Sequence, residues 1–347
     1  MSSPIIYFRK NYQTMKSKAH FFLFSTMVAS LTANAQVFNL QNPLSHTYSI
    51  VAFDPATGEM GAAVQSHWFS VGTIVIWGEA GVGVVATQSF VNPAFGPSGL
   101  SLMQQGFGAE QTLKMLITGD EGRDFRQLAL LDATGKSSSY TGSKCVESAG
   151  HIVGEGYAVQ ANLMLNDQIW PAMASAFEAS KGQPLAERMV AALLAAEAAG
   201  GDIRGKQSAA LLVVNAKSTG KPWIDRSIDL RVDDHPSPLE ELSRLLTVHR
   251  AYQHMNAGDL AVEKNDFQLA MREYGAAENL QPQNEEMQYW HAIALVNLGR
   301  VEEALPIFRK VFQKNKNWAI LTPRLLKNGL LTADEKTLSQ ILATQKQ

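Results

Sequence analysis

Thr47 stands at the head of an apolar run, Thr47-Tyr48-Ser49-Ile50-Val51-Ala52-Phe53-Asp54, and a strand that begins with threonine can begin with a nucleophile. A threonine hydroxyl is a weak nucleophile. A free α-amine on the same residue, with a pKa near ~8, can take its proton directly or through water. The chemistry on offer is acyl transfer, amide hydrolysis being its plainest form, and it asks for polar groups that stabilise an oxyanion. Suitable residues recur downstream. Ser66 ends the next apolar run, Gly61-Ala62-Ala63-Val64-Gln65-Ser66. Gln160 and Asn162 stand two apart, which puts them on one face of a strand. Asp202 and Arg204 follow the pair Gly200-Gly201. Plainer readings stand beside these: Thr47 as a β-branched strand starter, and Asp202 with Arg204 as a structural ion pair.

The elements that would position these groups are short. Residues 47–54 and 60–66 predict a hairpin turned by Pro55-Ala56-Thr57-Gly58. Residues 73–77 and 82–88 predict two more strands, divided by Glu79-Ala80-Gly81. These strands are almost continuously apolar, so both faces of their sheet should be covered. Pro97 opens a predicted helix over 98–105; a second follows Gly108, with Leu113, Leu116 and Ile117 on one face, and stops at Gly119. Residues 125–132 and 137–141 read as a hairpin turned by Ala133-Thr134-Gly135, and 156–163 as a strand. Helices follow over 170–179 and 185–199, the second capped by Gly200-Gly201. Residues 208–214 and 228–232 are the last predicted strands. The order of strands and helix pairs predicts a layered α+β domain with helices on both faces of a sandwich.

Asp233-Asp234-His235-Pro236-Ser237-Pro238 marks a linker, and the rest reads as helical with an internal period. Setting 251–284 against 285–318 matches Gly258 to Ala292, Ala261 to Leu295, Ala270 to Ala304, Tyr274 to Phe308 and Ala277 to Val311. That period and those small and aromatic positions resemble the tetratricopeptide repeat, with Asn265-Asp266 and Gly299-Arg300 at the intra-repeat turns. Two such repeats bury little alone. They need covering by 239–250 and 319–343, or by the first domain.

A set of motifs runs through the first domain: Thr47-Tyr48-Ser49-Ile50-Val51-Ala52, Ala86-Thr87-Gln88 with Asn92-Pro93, Arg126-Gln127, Gly150-His151 with Gly154-Glu155-Gly156, and Gln160-Ala161-Asn162. Gly200-Gly201-Asp202, Arg204-Gly205, Gln207-Ser208-Ala209-Ala210 and Arg231-Val232-Asp233-Asp234-His235-Pro236 complete it. Each is weak alone, but together they resemble the DUF1028 family, placed among the N-terminal-nucleophile (Ntn) hydrolases. The resemblance covers residues 47–246. It implies a four-layer αββα Ntn-hydrolase-like sandwich with Thr47 as nucleophile. Ser66 would then reach the site from the paired strand, Gln160 and Asn162 would donate to a carbonyl oxygen, and Asp202 and Arg204 would orient substrate or each other.

The first 35 residues carry Arg9, Lys10, Lys16 and Lys18 and no acidic residue. Lys16 and Lys18, the apolar stretch 21–31 and Ala33-Asn34-Ala35 form a secretory signal pattern, with Met15 a second possible start. The apolar stretch is short for a bilayer span, and no cysteine follows the cleavage site to carry a lipid. The division expected is therefore a signal peptide over 1–35, a leader over 36–46, the DUF1028 domain over 47–246 and helical repeats over 247–347. Cleavage after Ala35 leaves eleven residues ahead of Thr47. Its amine is freed only by a second cut, between His46 and Thr47.

Without the signal the chain has 26 basic residues against 32 acidic, a balance of −6. That gives no general attraction for nucleic acid. Cys145 is the single cysteine, so no internal disulfide can form, and it reads as a packing residue. No cofactor or metal is expected: His67, His151 and His235 are dispersed, and Gly154-Glu155-Gly156 lacks the strand-then-helix setting of a phosphate loop. The expected function is an exported, periplasmic or secreted Ntn hydrolase acting on an amide bond. A protein or peptide partner would dock on residues 247–347, no transmembrane span remains in the mature chain, and homo-oligomers are compatible with this. The alternative is a non-catalytic small-ligand or partner-binding protein of the cell envelope.

Overall fold

The computed structural model describes residues 44–346. The secretory pattern over 1–35 and leader residues 36–43 lie outside the described residues. The first strands are β1 (Leu44–Ser45), β2 (Thr47–Phe53) and β3 (Met60–Ser66). β2 and β3 form the expected hairpin. Gly58 adopts φ 75° and donates its N–H to Asp54 O at 2.7 Å, which closes the turn and sets the register from Phe53–Met60 to Thr47–Ser66.

The remaining strands are β4 (Ile76–Glu79), β5 (Gly83–Phe90), β6 (Arg126–Asp132), β7 (Ser137–Thr141), β8 (Gly150–Gly154), β9 (Tyr157–Ala161), β10 (Ser208–Val214) and β11 (Arg226–Val232). They make two antiparallel sheets. One runs β1-β5-β6-β7, with β4 also on β5; the other runs β11-β10-β3-β2-β9-β8. Val51, Ala62, Val64, Ala210 and Leu212 of the second sheet meet Val84, Ala86, Ala129 and Leu131 of the first in one apolar layer. Alternate residues turn outward. Val85, Leu128 and Leu130 pack under α1 (Phe95–Gln104) and α2 (Ala109–Thr118). Tyr48, Ile50, Ala52, Val159 and Leu211 pack under α3 (Ile169–Ala179) and α4 (Leu185–Ala198). Both faces of the central strands are covered, which explains their lack of polar alternation. The molecule is a mixed α+β fold of antiparallel sheets with a helical C-terminal region.

Three features differ from the expectations. Residues 71–73 form a turn of 3₁₀ helix, and the strand starts only at Ile76. Ser70 sits in the left-handed region at φ 53°, and Ser208 Oγ accepts from the Val71 N–H at 3.1 Å, so tertiary contacts override the β-branched run. The expected strand over 156–163 is β9, and its edge partner β8, with two glycines and half-exposed side chains, escaped the sequence pattern. Pro97 lies inside the first turn of α1, beside Gly96, where a Cβ would sit 2.3 Å from the Trp77 ring.

After the short α5 (Pro222–Asp225) come α6 (Pro238–Glu263), α7 (Phe267–Leu280), α8 (Glu285–Asn297) and α9 (Val301–Lys314), then the short α10 (Asn317–Leu321) and α11 (Arg324–Lys327) and finally α12 (Glu335–Ala343). α9 repeats the bounds of α7 at an offset of 34 residues, and the preceding turns use Asn265 at φ 58° and Gly299 at φ 74° at that same offset. All five matched pairs are buried. Gly258 admits the Tyr274 ring where a Cβ would lie 2.7 Å away. α6 crosses the expected boundary at 246/247 without a break. Its Leu239, Leu242 and Leu246 belong to the core beneath the sheet, and its Ala251, Met255 and Ala261 to the helical region. Arg250 on α6 holds both carboxylate oxygens of Glu187 on α4, at 2.8 and 2.9 Å. Among the described residues no helix is long and apolar enough to cross a membrane.

Candidate active site

Thr47 opens β2 in the middle of the six-stranded sheet, and its side chain is 0% exposed. The hairpin register sets it directly opposite Ser66, which in turn pairs with Ser208 on β10. Three loops converge above this end of the sheet: those leaving β3 and β9, and the one entering β10. Gly200 and Gly201 both hold positive φ, 127° and 59°, and turn the chain after α4 so that Asp202 bridges to Met164.

The peptide bond between His46 and Thr47 is gripped on both sides. The His46 carbonyl oxygen accepts from Ser66 Oγ at 2.5 Å and from Arg204 Nη2 at 2.8 Å. The Thr47 carbonyl oxygen accepts from Asn162 N at 3.1 Å, Gln88 Nε2 at 3.0 Å and Asn162 Nδ2 at 3.4 Å. Arg204 is itself held. Asp202 Oδ1 accepts from Arg204 N and Nε at 2.9 and 3.0 Å, and Asp202 Oδ2 accepts from Nη2 at 2.7 Å. The buried carboxylate fixes the guanidinium plane, so Nη2 can face both Asp202 and the carbonyl.

The His46 ring is buried as well. Its Nδ1 lies 2.7 Å from Asn162 Oδ1, and its edge meets Phe90 at 5.9 Å between centroids and 87° between planes. Burial is the main cause that pushes the imidazole below the ordinary histidine range; the Asn162 hydrogen bond opposes it in part.

Behind the grip lies a chain of amides between the sheets. Gln127 Nε2 donates to Thr141 Oγ1, Gly150 O and Ala161 O at 2.9, 3.2 and 2.9 Å. Its Oε1 receives Gln88 Nε2 at 2.7 Å and Asn162 Nδ2 at 2.9 Å. Gln88 Oε1 accepts from Ser49 Oγ at 2.6 Å.

Five of the six candidate residues meet: Thr47, Ser66, Asn162, Asp202 and Arg204. Gln160 does not. It pairs with Ser49, one same-face position deeper, and bonds Ser49 Oγ, Ala86 O and Ser139 Oγ. It supports the amide chain without reaching the His46–Thr47 bond. Sequence reading passed over His46, Gln88 and Gln127 as site residues. The signal for the glutamines was a polar residue inside an otherwise apolar strand, where burial requires hydrogen-bond partners. His46 gave no such signal.

The histidines stay apart. His67 is exposed, His151 Nδ1 meets Thr141 Oγ1 at 2.8 Å, and His235 Nδ1 accepts from Ser237 N at 3.0 Å. Among the described residues no group of three or more His, Cys, Asp and Glu is placed to hold a metal ion. Cys145 is half-buried with Sγ 3.3 Å from Arg126 O, and burial pushes its thiol up, away from the reactive thiolate.

A family model described as a family of unknown function, DUF1028, matches residues 47–242. The crystal structure of a DUF1028 protein from Silicibacter pomeroyi is similar, with 31% sequence identity and a TM-score of 0.52. The match covers 58% of this chain and 88% of that one. No curated protein matches the chain.

Proposed function

The chain belongs to the DUF1028 family, whose function is unknown, and on that premise we propose that it is an exported N-terminal-nucleophile hydrolase that cuts an amide bond. The paired sheets with helices outside them are consistent with a four-layer αββα sandwich of the Ntn type. The observation that carries the reading is the hold of Ser66 Oγ and Arg204 Nη2 on the His46 carbonyl oxygen. Two donors, one cationic, meet the oxygen that gains charge when a hydroxyl attacks that carbon.

In the first reaction Thr47 Oγ bonds to the His46 carbonyl carbon, and the bond from that carbon to the Thr47 nitrogen breaks. The nitrogen keeps the electron pair and takes up the proton that the hydroxyl gives. An ester remains. Water hydrolyses it, releasing a leader that ends in the His46 carboxylate and restoring the hydroxyl. The freed amine then serves as base when the same hydroxyl attacks a substrate amide. Asp202 acts as a positioning residue through Arg204. Asn162 and Gln88 hold the Thr47 carbonyl so that the nucleophile's backbone stays fixed while its neighbour leaves.

The helical region, with its 34-residue period, is read as tetratricopeptide-like repeats that dock a protein or peptide. Residues 1–35 are read as a cleaved secretory signal. N-terminal sequencing and intact-mass measurement of protein recovered from the cell envelope test the enzyme reading. A species starting at Thr47, lost in Thr47→Ala, is expected. A population that starts only at Gln36 overturns it.

Complete burial of Thr47 in the uncut chain favours a second reading, a non-catalytic binding protein of the envelope. In that case Thr47→Ala leaves the N-terminus of the recovered protein and its ligand binding unchanged.

A further inference from the structure

The leader does not simply hang ahead of Thr47. β1 pairs with the end of β5, Leu44 opposite Phe90 and Ser45 opposite Ser89, and His46 follows with only 6% of its surface exposed. Its ring lies against the Phe90 edge and beside Asn162 Oδ1, and Phe90 is backed by Phe125 at 5.2 Å.

The hydrogen-bond polarity of this pocket is fixed from behind. Two of the three acceptors around Gln127 Nε2, Gly150 O and Ala161 O, are main-chain carbonyls that can only accept. The Gln127 amide therefore points its nitrogen at them and its Oε1 forward. Asn162 must answer that oxygen with Nδ2, as it does at 2.9 Å, which turns Asn162 Oδ1 toward the ring. The pocket thus presents an acceptor, and the ring that fills it must supply an N–H. A flat ring without one would leave a buried carbonyl oxygen unpaired, and buried polar groups left unpaired are a strong source of selectivity.

Resting on the reading of Thr47 as the nucleophile, we infer that the Phe90–Asn162 pocket is the acyl-side specificity pocket of the site. It takes histidyl amides, and peptides ending their acyl side in histidine, laid as an extended strand on the end of β5. The leader is the first such substrate. Its carbonyl occupies the Ser66–Arg204 donors, its side chain the pocket and its strand the β5 edge, and a later substrate must place its own acyl residue the same way for the same hydroxyl to reach its carbonyl. The released leader, ending in His46, is then a competing product.

The pocket can be tested without any cleavage. In the Thr47→Ala chain, which keeps the leader attached, His46→Ala removes the ring, and His46→Gly serves as a second cavity variant. Free imidazole, added with the Thr47→Ala chain that retains His46 as control, is expected to raise the melting temperature of the variants and to show saturation-transfer NMR contacts to them and not to the control. Thiazole, a ring of the same size without N–H, is expected to bind at least about tenfold more weakly. Equal binding of the two rings, or no difference between the variants and the control that retains His46, overturns the pocket. In a second arm, the chain that starts at Thr47 is offered alanyl, leucyl and histidyl amides, with a kcat/KM preference for histidyl of about tenfold or more expected. Hydrolysis with no such preference overturns the specificity while leaving Thr47 as nucleophile. Ring binding together with an uncut chain keeps the pocket and sinks the hydrolase.

Discussion

Ser66 donates its hydroxyl to the main-chain carbonyl of His46 at 2.5 Å, across 20 residues of sequence. The contact follows from the hairpin: the turn at 54–58 sets Ser66 opposite Thr47, and the preceding carbonyl falls to its hydroxyl. Arg204 supplies the second donor to the same oxygen. Removing either should slow cleavage of the His46–Thr47 bond without unfolding the chain. Ser66→Ala and Arg204→Ala are each expected to lower the rate about 10²-fold or more, as for other single oxyanion donors. Intact mass against time after synthesis, with circular dichroism as a folding control, measures this. Cleavage at the wild-type rate in both variants would remove these residues from the chemistry.

In the proposed reaction Asp202 acts through Arg204, whose guanidinium it holds. Asp202→Asn keeps the shape but weakens the charge-assisted hold on the guanidinium. The expected result is slower cleavage together with a stronger salt dependence of the rate, because a loosened Arg204 competes with solvent ions. An unchanged salt profile would limit Asp202 to a packing role.

Gln127 orders the amide chain. Gln127→Leu removes one hydrogen bond each from Asn162 Nδ2, Gln88 Nε2 and two main-chain oxygens. Urea unfolding should show a loss of roughly 2–4 kcal/mol. A loss below about 0.5 kcal/mol, inside the range of an ordinary surface substitution, would mean that water replaces the amide at no cost.

The His46 ring gives the docked leader a pH dependence. Burial lowers its pKa from 6.5, with Arg204 lowering it further and Asp202 and the Asn162 bond opposing. Between the lowered value and 6.5 the unfolded or undocked ring binds a proton that the docked ring refuses. Stability from this group is therefore complete above pH 6.5 and is lost as pH falls below it. In the Thr47→Ala chain, which keeps the leader attached, wild-type His46 should destabilise on acidification more steeply than His46→Asn, which cannot titrate. Parallel pH profiles of the two melting temperatures would contradict the burial.

The long helix α6 serves two cores, and substitutions along it should sort by position. Leu242→Ala lies under the sheet and is expected to cost about 2–4 kcal/mol in the unfolding of the whole chain. Met255→Ala opens the helical region. Hydrogen exchange should then report loss of protection confined to residues beyond 250. Equal loss in the sheets would show a single cooperative unit.

Much of this fold was legible because burial is written plainly in β2, β3, β6 and β10, whose bounds follow mostly apolar runs. That Ser66 reaches the site from the strand paired with Thr47 was legible too, since the turn residues 55–58 mark a hairpin, and the register sets the two residues opposite each other. Residues 71–75 misled because Val and Ile there pack between the sheets from a 3₁₀ turn, held by Ser208, a residue 137 positions away. β8 was hidden by its glycines and its exposed face. The grip of Arg204 on the His46 carbonyl spans 158 residues and joins two loops, so no local pattern carried it.

The Arg250–Glu187 pair sits at the start of α4, while Glu197, near its end, bonds the Tyr48 hydroxyl beside Thr47. The ten residues between them span about 15 Å of helix. α6 therefore carries the chain away from Thr47 before the helix pairs begin. The two cores that share α6 therefore stand unequally to the candidate site: one lies against Tyr48, the neighbour of Thr47, and the other begins only at Ala251.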